Sequence, residues 1–207
     1  MRKLFYLAGL FGMITSLCRG EDRKPNVIIV LTDDQGYGDM SCHGNPVVQT
    51  PNLDRLAEQS TRFTQFFVGP LCQPTRASLM TGRNKVIGRR IEPNEQTMPQ
   101  MFKRGGYATA IFGKWHLGEY RPFRPVDKGF DCQLLIGGGA ITQVQDYWGN
   151  SYFNPWLKDS NDEWRQYKGF CTDVLFDEAI NWIKSQKNKP FFCYLASNAA
   201  HTPFYAP

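Results

Sequence analysis

Short apolar runs that alternate with helical patterns constrain the fold of this chain most strongly. Val27–Leu31, Tyr107–Phe112 and Phe191–Ala196 are continuous runs of the kind found in strands buried on both faces of a sheet. Thr61–Val68 is a further predicted strand. Strands that alternate with helices predict an α/β fold, with a central, mostly parallel sheet and helices on both faces.

The helical segments have recognisable ends. Helix starts are predicted at Thr50–Pro51 and at the beginning of Cys72–Gly82, because each has a proline in its first turn, and Gly82 ends the second helix. A further helix is predicted over Thr97–Arg104, where Gly105 and Gly106 end it. Apolar spacing predicts another over Asp173–Lys187, with Asp173 as the N-cap.

Residues 1–20 have the order of a secretory signal peptide. Two basic residues precede the apolar stretch Leu4–Leu17, and the small Gly20 precedes a charged segment. The stretch is shorter than the about 20 residues that span a bilayer, so a cleaved signal is favoured over a membrane anchor. We therefore expect an exported protein, periplasmic or extracellular, whose mature part is residues 21–207 and has no membrane segment.

The charge of the chain is modest once residues 1–20 are set aside. The whole sequence has 24 Lys and Arg against 19 Asp and Glu, a formal charge of +5. Three of the basic residues lie in the first twenty, so the mature part has a formal charge of +2. No basic stripe is present, and we expect no nucleic-acid partner.

The cysteine count points to one special thiol. Residues 21–207 contain five cysteines, Cys42, Cys72, Cys132, Cys171 and Cys193. An odd number in an exported protein leaves one thiol unpaired, and Cys72 is our candidate. The other four either form two disulfides, in one of three connectivities, or stay as buried thiols.

Charged and reactive side chains follow three of the predicted strands. Asp33 and Asp34 follow the first, Lys114 and His116 follow the run that ends at Phe112, and His201 follows the last. Ligands of open α/β sheets bind at the carboxyl ends of the strands. Two adjacent carboxylates there favour a hard cation such as calcium or magnesium, although an Asx-turn is the simpler alternative.

Cys72-Gln73-Pro74-Thr75-Arg76 combines a thiol with a predicted helix start. Backbone N–H groups and the positive end of the helix dipole lie near a side chain at this position, and Arg76 follows one turn later. Such a place holds an anion well. A disulfide cysteine or a plain buried thiol is the alternative for this motif taken alone.

Leu71–Arg83 closely resembles the sulfatase signature, Cys-x-Pro-x-Arg followed by a small residue, Leu and Thr-Gly-Arg. Further segments resemble sulfatase motifs in the same order, namely Pro25–Asp39, Thr50–Ala57, Gly113–Gly118 and Asn198–Pro203. The resemblance implies the alkaline phosphatase/sulfatase-like fold and a sulfuric ester hydrolase, an arylsulfatase-like enzyme that acts on aryl or carbohydrate sulfates.

The resemblance also implies the cofactors. Cys72 would be oxidised by a formylglycine-generating enzyme to formylglycine, an aldehyde whose hydrate is the nucleophile. Asp33 and Asp34, with the modified Cys72, would bind a divalent cation, calcium or alternatively magnesium.

The remaining implied roles concern charge and protons. Arg76 would hold the hydrated aldehyde, and Lys114 would neutralise sulfate oxygens. His116 would assist release of sulfate from the enzyme, and His201 would donate a proton to the leaving oxygen. Each of these residues has a plain structural alternative when it is taken singly.

The resemblance implies that family members continue beyond an equivalent of Pro207. We therefore expect residues 21–207 to be the N-terminal part of the catalytic domain, truncated at its C-terminus, and an incomplete, inactive fragment by itself. The alternatives are a phosphoesterase of the same superfamily and a non-catalytic product that binds metal or a sulfated glycan.

The expected substrate is a sulfated small molecule or polysaccharide. Gly137–Gly169 is aromatic and glycine-rich without a clear period, so we expect long surface loops that border a ligand cleft. Tyr147, Trp148, Trp156 and Trp164 in this stretch are candidates for stacking on sugar or aryl rings.

Overall fold

The computed structural model describes residues 24–85, 90–143 and 145–207, so the predicted signal peptide lies outside the described residues. This part of the chain contains six strands, β1 (Val27–Leu31), β2 (Ala108–Gly113), β3 (Cys132–Leu135), β4 (Trp156–Lys158), β5 (Trp164–Gln166) and β6 (Phe191–Ala196). Its helices are α1 (Pro51–Glu58), α2 (Cys72–Thr81), α3 (Met98–Arg104) and α4 (Cys171–Ser185), besides three 3₁₀ turns at Tyr37–Asp39, Ser41–His43 and Pro125–Lys128. None of these helices is long and apolar enough to cross a membrane.

The six strands form one mixed sheet in the order β1-β6-β2-β3-β4-β5. β1, β6, β2 and β3 are parallel, and β4 and β5 add an antiparallel hairpin at one edge. Leu31 is paired with Ala196, Ala196 with Gly113, and Gly113 with Leu135, so the carboxyl ends of the parallel strands lie in one row. The residues that follow them therefore meet at one edge of the sheet, which confirms the α/β prediction.

Helices cover both faces of the sheet, as predicted. β6 is buried along its whole length, and its side chains alternate between two apolar clusters. Phe192 and Tyr194 pack with α2 and α3, whereas Cys193 and Leu195 pack with α4. Burial of apolar surface on both faces is the main stabilising contribution in such a sheet.

Two strand predictions were wrong in part or in whole. β1 is not buried on both faces, since Ile28 is 50% exposed and Val30 is 54% exposed while Val27, Ile29 and Leu31 face the core. Thr61–Val68 is an irregular, exposed segment rather than a strand. Its phenylalanines resemble a strand in sequence, but the segment pairs with no strand among the described residues.

Other boundaries differ from the sequence predictions for local reasons. α4 begins at Cys171 with Phe170 as its N-cap, so Asp173 lies in the first turn and is not the cap. Gly137–Gly169 is not made of loops alone, because it contains the β4–β5 hairpin. β3, β4 and β5 are four or three residues long, too short for a strand period to be recognised.

All five described cysteines are free thiols. This agrees with the buried-thiol alternative, and the structure contains no disulfide among Cys42, Cys132, Cys171 and Cys193. Burial raises the pKa of Cys171 and of Cys193 to about 12, so these two thiols are unreactive at neutral pH.

Gly113 allows β2 to approach β6 closely. Its φ is +107°, and a β-carbon at this position would overlap the carbonyl oxygen of Ala196 on the neighbouring strand. The next residue, Lys114, donates its backbone N–H to that same carbonyl over 2.8 Å. The glycine therefore determines where the Lys114 side chain leaves the sheet.

We expect Gly113→Ala to lower the free energy of unfolding by about 3 kcal/mol, from the left-handed backbone and the overlap with Ala196 together. Gly106→Ala is the matched control, because Gly106 has φ +82° but open space around it. That variant should cost only about 1 kcal/mol. Urea unfolding of both variants measures the difference, and equal losses would show that the close approach is unimportant.

Candidate active site

A buried ion cluster lies where β1 and β2 end. Asp33 is 3% exposed, and its carboxylate contacts the ammonium group of Lys114 and, over 3.5 Å, the guanidinium group of Arg76. Arg76 also donates to the Lys114 carbonyl oxygen over 2.8 Å and to the Tyr194 hydroxyl over 3.2 Å. Three residues that are far apart in sequence are thus held as one unit.

This cluster has more positive than negative charge. Two buried cations, Lys114 and Arg76, face the single buried carboxylate of Asp33. Burying charge is costly unless it is compensated, so the site is suited to receive a further anionic group. The Nε of Arg76 is also buried and has no hydrogen-bond partner among the described residues, which leaves a donor for that group.

Cys72 is the first residue of α2 and lies beside the imidazole of His116. Its Sγ is 3.4 Å from His116 Nδ1, and Gln73 donates a hydrogen bond to the His116 carbonyl oxygen over 3.3 Å. Burial, with the positive charges of Lys114 and Arg76, lowers the pKa of His116 to about 4. The imidazole is therefore neutral at pH 7 and able to accept a proton.

His116 is placed by an unusual backbone and by a neighbouring glycine. Its φ is +59°, a left-handed conformation that is uncommon outside glycine. A β-carbon on Gly139 would lie 2.9 Å from His116 Nε2, so only glycine allows this loop to pack against the ring. Sequence reasoning missed this contact, and the run Gly137–Gly139 was the signal that pointed to it.

Asp34 and His201 form a further contact next to Asp33. Asp34 is 61% exposed and has φ +60°, and its carboxylate is 3.8 Å from His201 Nε2. His201 Nδ1 donates a hydrogen bond to the Thr202 carbonyl oxygen over 2.6 Å, and Nε2 faces Asp34. The backbone N–H of Asp33 donates to the Ala199 carbonyl oxygen over 3.0 Å and joins the two loops.

Several of these side chains line one cavity of about 230 Å³, namely Asp33, Asp34, Cys72 and Arg76. Gln35 also lines it, and its Oε1 is buried without a hydrogen-bond partner among the described residues. These hard oxygen donors fit a calcium or magnesium ion in chemical type. The number of these donors is small, because residues 24–85, 90–143 and 145–207 contain no group of three His, Cys, Asp or Glu arranged to hold a metal.

The structure thus brings the sequence-predicted residues to one edge of the sheet in three contacting groups. One group joins Cys72 to His116, and a second joins Asp33 to Lys114 and Arg76. His201 contacts Asp34 rather than Cys72. Tyr194 was missed by sequence reasoning, because its position inside β6 reads as core and only the fold places its hydroxyl against Arg76.

Comparison with known proteins gives a family match over most of the chain. The family model described as Sulfatase matches residues 25–207. N-acetylgalactosamine-6-sulfatase of Homo sapiens is 34% identical over 220 residues, which cover 90% of this chain and 41% of that protein. The chain spans less than half the length of the curated relatives it matches.

Two solved structures show the same fold. The crystal structure of Ps i-CgsB in complex with k-i-k-neocarrahexaose has a TM-score of 0.79 and 29% identity, and the match covers 89% of this chain and 47% of that one. A structure in complex with its substrate D-glucosamine-2-N,6-O-disulfate has a TM-score of 0.73 and 31% identity. The match covers 87% of this chain and 35% of that one.

The two adjacent aspartates should differ sharply in their effect on stability. We expect Asp33→Asn to lower the free energy of unfolding by about 3 kcal/mol, because two buried cations lose their counter-charge. Asp34→Asn, at the exposed neighbour, should change it by less than about 1 kcal/mol. Urea unfolding with a metal chelator present measures both, and similar losses would contradict the ion-cluster interpretation.

Proposed function

Since this chain belongs to the sulfatase family, we propose that the protein containing it hydrolyses sulfate esters at the edge of the sheet where Cys72 lies. The observation that carries the proposal is the position of Cys72. It begins a helix, touches a neutral histidine and lines one cavity with Arg76 beside the buried cationic cluster. A group at that position has an anion-binding site on one side and a proton acceptor on the other.

We propose that Cys72 is converted to formylglycine, whose hydrate would supply the attacking hydroxyl. Arg76 and Lys114 would hold the sulfate oxygens and the developing negative charge. Nδ1 of His116, which faces the Cys72 position, would accept a proton from it. His201 would protonate the oxygen of the departing alcohol.

Asp33 and Asp34 are the proposed ligands of a divalent cation, calcium or alternatively magnesium. Their carboxylates line the same cavity as Cys72, and the cation would supply further neutralisation of the sulfate charge. Gln35 is a third oxygen donor on that wall. The remaining coordination positions would be filled from outside the described residues or by water.

The proposed substrate is a sulfated carbohydrate. Two relatives support this class, one named as an N-acetylgalactosamine-6-sulfatase and the other solved with a glucosamine disulfate substrate. Among the aromatic candidates, Tyr147 stacks on Trp156 with ring centroids 4.0 Å apart and packs against Trp164, so these rings support one another. Trp148 is 97% exposed and remains the candidate for stacking on a sugar ring.

The cellular setting is also a proposal. The signal-like residues 1–20 favour export to the periplasm or the extracellular space. Conversion of Cys72 requires a formylglycine-generating enzyme as a partner. We propose that it acts on the segment Cys72–Arg76 before the chain folds, because α2 packs this segment against the sheet.

Activity is best tested on the full-length protein that contains this sequence. We expect turnover of 4-nitrophenyl sulfate but not of 4-nitrophenyl phosphate, and a loss of about 10³-fold or more in kcat/KM for Cys72→Ala and for Arg76→Ala. Cys132→Ala is the matched control, because that thiol lies in β3 away from the site, and it should retain activity. Preference for the phosphate would favour a phosphoesterase. Turnover of neither ester and no release of sulfate from N-acetylgalactosamine 6-sulfate would favour a non-catalytic protein that binds metal or glycan.

The modification is tested separately by mass spectrometry of the peptide that contains Cys72. We expect the mass change for replacement of the thiol by an aldehyde oxygen, and capture of that peptide by a hydrazide reagent. The peptide that contains Cys42 serves as the internal control and should keep its thiol. An active protein whose Cys72 is entirely unmodified would overturn the aldehyde proposal.

A further inference from the structure

A second cavity, of about 350 Å³, begins at His116 on the side where Gln73, Gly138 and Gly139 lie. Gln73 follows Cys72 directly, and His116 touches the Cys72 thiol, so this cavity adjoins the proposed reaction centre. Its volume lies in the range of ordinary small-molecule sites. A group bound here would be continuous with an ester held at Cys72.

Glu119 is the distinctive side chain of this cavity. It is half-buried and lines the wall, yet its carboxylate has no hydrogen-bond or ion-pair partner among the described residues. Burial raises the pKa of this carboxyl, and the negative charge of Asp162 adds to the rise. The positive charge of Lys158 opposes it, but the net effect is a raised pKa. A half-buried carboxylate without a hydrogen-bond partner is stabilised when a ligand supplies hydrogen-bond donors.

The rest of the lining is suited to a polyol ring. Gln143 and Gln145 supply amide donors and acceptors, and Arg90 supplies a guanidinium group that makes no ion pair with Glu119. Tyr120 is 67% exposed, so its ring is available to the apolar face of a sugar. A cavity lined with mixed polar groups and with the aromatic rings of Tyr120 and Phe123 is typical of carbohydrate recognition.

The chain is built to place Glu119 here. Gly118 has φ +131°, and a β-carbon on it would overlap the Phe123 side chain. Gly118 therefore allows the chain to turn directly after the Lys114–Leu117 segment and to fold back on Phe123. This turn brings Glu119 into the same cavity as His116, which is only three residues earlier.

We propose that Glu119 is a specificity-determining residue, whose carboxylate accepts hydrogen bonds from hydroxyl groups of the sugar ring while the sulfate ester lies at Cys72. This inference rests on the proposed sulfatase function and adds the part of the protein that recognises the alcohol. Two carboxylate oxygens accept from neighbouring hydroxyls, a pairing that a small aryl sulfate cannot offer. Glu119 thus acts on substrate choice and takes no part in cleavage.

The kinetic test compares two substrates in the full-length, oxidised protein. Glu119→Gln should lower kcat/KM for N-acetylgalactosamine 6-sulfate by at least about tenfold, mainly through KM, and change that for 4-nitrophenyl sulfate by less than about twofold. Glu163→Gln is the matched control, because Glu163 is exposed and pairs only with Arg165 at the surface among the described residues. An equal loss on both substrates, or no loss on either, would overturn the proposal.

A binding test separates this proposal from the sulfatase function itself. In a Cys72→Ala background, calorimetric titration with calcium present should show weaker binding of N-acetylgalactosamine 6-sulfate after Glu119→Gln, again by about tenfold, with unchanged binding of inorganic sulfate. If the parent protein cleaves no ester but this difference appears, the proposed function fails and the sugar site stands. Equal affinity for the sugar sulfate with and without Glu119 would overturn the site whatever the activity.

Discussion

The charge balance around Asp33 is the interaction on which the rest of the site depends. One buried carboxylate holds Lys114 and Arg76 together, and these cations come from the end of β2 and from α2. Without it, two positive groups would be buried against each other at the edge of the sheet. With it, α2 is fixed against the sheet through the hydrogen bonds of Arg76 to Lys114 and Tyr194.

The same arrangement separates the anion-binding part of the site from the proton acceptor. The cluster keeps a surplus of positive charge, and this charge helps to keep His116 neutral beside Cys72. An anion is therefore favoured on the Asp33 side, and the proton acceptor lies on the His116 side. The cavity that contains Glu119 continues from His116, so the groups proposed for sulfate, for proton transfer and for the alcohol follow one another across the sheet edge.

Sequence reasoning succeeded where a local pattern was long enough to carry the signal. The apolar runs of β2 and β6 and the proline-marked starts of α1 and α2 lie close to where they were predicted. It failed for β3 and for the β4–β5 hairpin, which are too short to show a period. It also failed for Thr61–Val68, because a strand needs a partner and an apolar composition cannot supply one.

By itself the sequence determined the parallel α/β fold, the position of Cys72 at a helix start and the placement of the charged residues after strands, because these follow from periodicity and spacing. The tertiary structure decided which of two adjacent aspartates is buried: Asp33 lies between two cations, whereas Asp34 faces solvent and His201. It also decided that Glu119 shares a cavity with His116. The burial of a side chain and its charge partners depend on residues from distant parts of the chain. A local sequence pattern therefore cannot predict them.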